Sequence, residues 1–134
     1  MVEGNKFVVS PEYSAFVDYE EKAGQDTGLL DSEKKVHFQL KIKNNGTQKL
    51  NKTVKLMKIK GDAAPKAFPL PVIKPGASKF LSVKFGFEHF VMADTSYYAL
   101  THDNGTHFFG DVLILKYNKG KKHVSIRFID AARV

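Results

Sequence analysis

Apolar and polar side chains alternate in short runs along most of this chain, the period of β-strands with one buried face rather than of amphipathic helices. Tyr13, Ala15, Val17 and Tyr19 form the first run. Val36, Phe38, Leu40 and Ile42 form the second, interleaved with His37, Gln39, Lys41 and Lys43. Leu81, Val83, Phe85 and Phe87 repeat the pattern, as do Val124, Ile126 and Phe128. Two segments depart from it. Val54 and Leu56 share one parity while Met57 and Ile59 share the other, which predicts a β-bulge near Leu56 and Met57 if all four point inward. Val112 to Leu115 is apolar on both parities, as in a central strand covered on both faces.

The connections between these runs carry turn chemistry. Asn44-Asn45-Gly46, Asn104-Gly105 and Asn118-Lys119-Gly120 set Asn and Gly where a hairpin needs positive φ. Pro71 and Pro75 flank Val72-Ile73 and demote that run to an edge or connecting segment. Residues 20–33 contain two glycines and no helical period, so a long polar loop is expected there. Together these elements predict an all-β fold, a single antiparallel β-sandwich of about seven or eight strands filling one domain over residues 1–134.

The passage from Val36 to Phe85 has a strand ending in Lys43-Asn44-Asn45-Gly46-Thr47. Further on, Val72-Ile73-Lys74-Pro75-Gly76-Ala77-Ser78 leads into Leu81-Ser82-Val83. This passage resembles the immunoglobulin-like modules of bacterial and archaeal surface proteins, the CARDB-type adhesion domains among them. The resemblance rests on turn chemistry. It implies an immunoglobulin-like sandwich that adheres, spaces or docks and holds no catalytic site. The chain departs from those modules in its first 33 residues and its last two strands.

Composition agrees with a folded core: 43% of residues are hydrophobic, with eleven Phe and five Tyr, and no cysteine is present for disulfides or thiolate chemistry. Charge divides the chain more sharply. Residues 1–33 hold eight carboxylates against two lysines, and residues 34–134 hold six against nineteen Lys and Arg, so an acidic leader at −6 precedes a basic body at +13. The leader is expected to contribute one strand and a long loop. A body so basic points to an anionic partner: an acidic glycan, an acidic protein surface or nucleic acid. No apolar stretch is long enough to span a bilayer and no signal-peptide pattern opens the chain. Three N-x-T sequons, at Asn45, Asn51 and Asn104, lean toward an extracellular setting, though two of them are also N-G-T turns.

Candidate contact residues follow from parity. Lys41, Lys43, Lys58, Lys60, Lys79 and Lys84 alternate with core positions and are expected on outward faces, where a row of cations also discourages edge-to-edge aggregation. Nucleic acid would require aromatic platforms among them, for which Phe80, Phe90, Tyr97, Tyr98, Phe108 and Phe109 are available. An alternative is a metal site. A two-residue turn at Asn104-Gly105 would set His102 opposite His107, about 5 Å apart at Cβ, with His89 or Asp111 as a third ligand for zinc or copper. Asp26 and Asp31 in the leader offer oxygen ligands for calcium, in a spacing that matches no calcium loop. Neither a G-x-S-x-G elbow nor a glycine-rich phosphate loop occurs. The expectation is therefore a non-enzymatic binding or adhesion module without a cofactor, reading its partner through loops and a lysine-rich sheet face.

Overall fold

The computed structural model describes residues 7–19, 27–29, 35–87, 93–118 and 123–129. The described chain is all-β, with no helix among the described residues. Its strands are β1 (Ala15–Tyr19), β2 (Thr27–Leu29), β3 (Lys35–Asn44), β4 (Lys55–Lys60), β5 (Ala63–Ala64), β6 (Ala67–Pro69), β7 (Ser78–Phe87), β8 (Ala93–Thr101), β9 (Phe109–Asn118) and β10 (His123–Ile129). They form two antiparallel sheets, one ordered β1-β3-β7-β5 and the other β2-β10-β9-β8-β4-β6. Three of the ten, β2, β5 and β6, have three residues or fewer. All three lie at a sheet edge, where a short strand leaves little unpaired backbone exposed.

Alternation builds the core. Along β3 the inward side chains Val36, Phe38, Leu40 and Ile42 are buried, and every intervening residue from Lys35 to Lys43 is exposed. Opposite them, Leu56 of β4, Tyr98 and Leu100 of β8, Leu113 and Leu115 of β9, and Val124 and Ile126 of β10 close one apolar cluster between the sheets. Phe85 meets Tyr98 across it edge-on, with ring centroids 5.1 Å apart. A second cluster lies on the far face of the six-stranded sheet, where Met57, Ala99, Val112 and Ile114 are buried beside Phe108 and Phe7. Apolar residues of both parities in β4 and β9 are thereby explained. Leu56 and Met57 point to opposite faces, and both faces are covered.

Several sequence expectations are modified here. The irregularity in β4 falls between Lys58 and Lys60, not at Leu56 and Met57. Thr27–Leu29, expected within a loop, pairs with β10; such an edge strand is held by main-chain bonds and needs no side-chain period. Asn44-Asn45-Gly46 does not close a hairpin, because β3 and β4 belong to different sheets. Gly46 does not take positive φ. Instead the backbone of Glu12 runs so close that a Cβ at Gly46 would overlap the Glu12 carbonyl oxygen. Val72-Ile73 forms no strand, consistent with its flanking prolines, and Ile73 makes only an isolated bridge to Leu50.

Asn44 ties these connections together. Its wholly buried side chain donates through Nδ2 to the carbonyls of Gln48 (2.8 Å) and Ile73 (2.9 Å) and accepts the Gly46 N–H through Oδ1 at 2.9 Å. On the opposite flank β9 bulges. Tyr98 pairs with Leu113 and Leu100 with Phe109, so Ala99 alone stands against Gly110, Asp111 and Val112. Gly110 takes φ 79°, and the displaced backbone brings Asp111 to β1, where its Oδ2 accepts the Val17 N–H at 3.1 Å.

Candidate functional site

The outward surface of the four-stranded sheet is basic and carries aromatics. Lys35, His37, Gln39, Lys41 and Lys43 line the exposed side of β3, a row of about 27 Å at the usual rise per residue. Register fixes the neighbours of this row. Lys43 stands opposite Phe16 of β1 on one side and Ser78 of β7 on the other. Lys41 stands opposite Phe80, Gln39 opposite Ser82 and His37 opposite the half-buried Lys84. Asp18 is the acidic residue in register with Lys41 on β1. Phe16, on the edge strand, is 62% exposed and Phe80, on the inner strand β7, 52%.

The other predicted lysines lie elsewhere. Lys79 is exposed opposite Ile42, on the inward parity of β7 but beyond the edge of the core. Lys58 and Lys60 are half-buried in β4. Lys58 Nζ donates to the Ala63 carbonyl at 2.8 Å, linking β4 to β5 of the other sheet, and Lys60 Nζ sits 4.8 Å from the Tyr97 ring centroid. Tyr97 packs with the second cluster. Tyr98 fills the core and is wholly buried, and its hydroxyl donates to the Pro65 carbonyl at 2.6 Å, so it faces no ligand. Phe108 and Phe109 are also buried, while His89, Phe90, Asp26 and Asp31 lie outside the described residues.

A shallow cleft forms where the segment from Val8 to Tyr13 meets the β8–β9 connection, and His102 and His107 both line it. Asn104 (φ 58°) and Gly105 (φ 92°) make the expected tight turn at its tip. The two histidines have different partners. His102 stacks on Tyr13, with centroids 3.9 Å apart and planes 13° from parallel. His107 Nδ1 lies 2.9 Å from Asp103 Oδ2, and an ionised carboxylate there requires Nδ1 to carry the proton and donate it. Burial pushes the Asp103 carboxyl upward. The bond from the His107 main chain at 2.8 Å, the His107 ring, the Thr101 hydroxyl and the nearby His102 outweigh it and hold the group at about 2. Asp111 is engaged with β1 instead of the histidines. Among the described residues, no three His, Cys, Asp or Glu side chains gather as a metal site would require.

Phe16 is an exposed aromatic of this face that sequence reading missed. Its signal was a phenylalanine at the outward parity between Ala15 and Val17. No protein-family model matches the chain, and no curated protein sequence matches it either. Among the described residues, no helix is long and apolar enough to cross a membrane.

Proposed function

We propose that this chain is a non-enzymatic binding module of the immunoglobulin-like class that takes an anionic polymer on the outer face of its four-stranded sheet. Strand order supports the class. The order β1-β3-β7-β5 follows the A-B-E-D sheet of immunoglobulin domains, and β4-β8-β9 follows C-F-G, with β10 and β2 continuing that second sheet. The observation that carries the function is the row of exposed lysines on β3, Lys35, Lys41 and Lys43, with Lys84 beside it on β7. Side chains there project from a strand paired with β7 along the whole row and with β1 from Leu40 to Asn44, so their charges form a linear array. Such an array suits a repeating anion better than a compact one.

A sulfated polysaccharide titrated at low and near-physiological salt tests this reading. Binding should weaken steeply with salt as counterions are taken up again. Affinity that ignores salt, or no binding even at low salt, would remove the anionic partner.

A further inference from the structure

We infer that the polymer this face takes is a single-stranded nucleic acid; the inference rests on the anionic reading just given and adds the bases to it. Phe16 and Phe80 flank Lys41 and Lys43, the last two lysines of the β3 row, and are more than half exposed. Phe16 is directly across from Lys43, and Phe80 directly across from Lys41. Directly opposed residues have Cβ atoms about 5 Å apart, so each ring adjoins one ammonium-bearing stem. The two rings are separated by two strand spacings and two residues along the strands, which places them about 12 Å apart.

That spacing selects among polyanions. Stacked bases in a duplex strand are about 3.4 Å apart and present only their edges, so a duplex offers no base face to either ring. A single strand can splay two bases onto Phe16 and Phe80 and carry the phosphates between them across Lys41 and Lys43. Base stacking on an aromatic platform tolerates any base, and a lysine track follows the backbone without reading sequence. Ser78, Ser82 and Gln39 add hydroxyl and amide groups on the same face. A sulfated glycan would use the lysines; a sugar ring can also lie on an aromatic face, but its sulfates and hydroxyls leave a smaller apolar face than a planar base offers. The aromatics therefore favour the strand.

The test measures fluorescence anisotropy of labelled oligothymidine and oligouridine of about twelve nucleotides, within the usual site size of single-strand binders. The same oligothymidine annealed to its complement and a sulfated glycan fragment are run beside them. Single strands should bind more tightly than the duplex. Phe16→Ala and Phe80→Ala should each weaken single-strand binding by about five- to a hundredfold, while leaving glycan binding and the melting temperature near the parent's. Phe80→Tyr should retain binding, since it restores the ring. Equal binding of single strand, duplex and glycan, with no effect of either alanine, would overturn the nucleic-acid inference and leave a general polyanion surface. No binding of any of the four would overturn both readings.

Discussion

Asp111 Oδ2 accepts the main-chain N–H of Val17 at 3.1 Å, a hydrogen bond from one sheet to the edge of the other. Val17 lies in β1, and that N–H faces away from β3, so Asp111 satisfies a donor that an edge strand would otherwise leave to solvent or to another chain. The bulge at Gly110 makes the reach possible. A Cβ at Gly110 would come within 3.0 Å of the Ala15 carbonyl oxygen, and its φ of 79° strains any other residue.

Asp111→Ala should therefore destabilise the domain by about 1.5–3 kcal/mol, the range for a hydrogen bond to a charged group. Asp111→Asn keeps an acceptor and should lose less. Gly110→Ala should be destabilising as well, through backbone strain and not through a lost bond. Denaturant unfolding of the three variants checks the order, and an Asp111→Ala midpoint equal to the parent's would remove the sheet-to-sheet bond from the account.

Asn44 offers a second test, since its three side-chain bonds serve three main-chain groups in the buried interior. Replacing it by Ala orphans the Gly46 N–H and takes a donor from the carbonyls of Gln48 and Ile73, the latter keeping the Leu50 N–H, and should cost about 2–4 kcal/mol. Asn44→Asp should be at least as harmful, because an oxygen would face the carbonyls of Gln48 and Ile73 where Nδ2 now donates. Thermal melts that rank Asp milder than Ala would contradict the assigned amide orientation.

The strands with one apolar parity were legible because burial alone decides them. β3 is the extreme case, with ten residues in strict alternation. β8 was not legible. Its inward positions include Ser96, and Thr101 at its end is also buried, each satisfied by partners that local sequence does not reveal. Ser96 Oγ accepts the N–H of Ala63, 33 residues away, and Thr101 Oγ1 bonds Asp103 and Gly105. Parity also misjudged Lys58, which lies beyond the core where an ammonium can turn back to the Ala63 carbonyl. Of the neighbouring tyrosines, only three-dimensional pairing tells that Tyr98 enters the core and Tyr97 the opposite face, because irregularities interrupt the register on both sides of them.

The pair of Asp103 and His107 predicts a pH dependence. The Asp103 carboxyl is held below its ordinary value, so it binds a proton less readily in the folded chain than in the unfolded one. Its contribution to stability is complete above the unfolded value near 3.9 and is lost as pH falls toward about 2. Asp103→Asn should melt below the parent at neutral pH, and the gap should close between about pH 4 and pH 2. A gap that stays constant across that window would assign the effect to packing and not to ionisation.

The claim that binding belongs to one face, and not to net charge at large, is tested by two double variants of equal charge change. Lys41→Glu with Lys43→Glu reverses the two lysines beside Phe80 and Phe16 at the end of the β3 row; Lys58→Glu with Lys60→Glu reverses two lysines already engaged with Ala63 and Tyr97. Titration of both with the same single-stranded oligonucleotide at low salt is the direct measurement. The first variant should lose binding at a small cost in melting temperature, since a carboxylate at position 41 would face Asp18, and the second should melt earlier still yet bind nearly as the parent does. Equal loss in the two, or a greater loss in the second, would contradict the assignment of the site to the outer face of the four-stranded sheet.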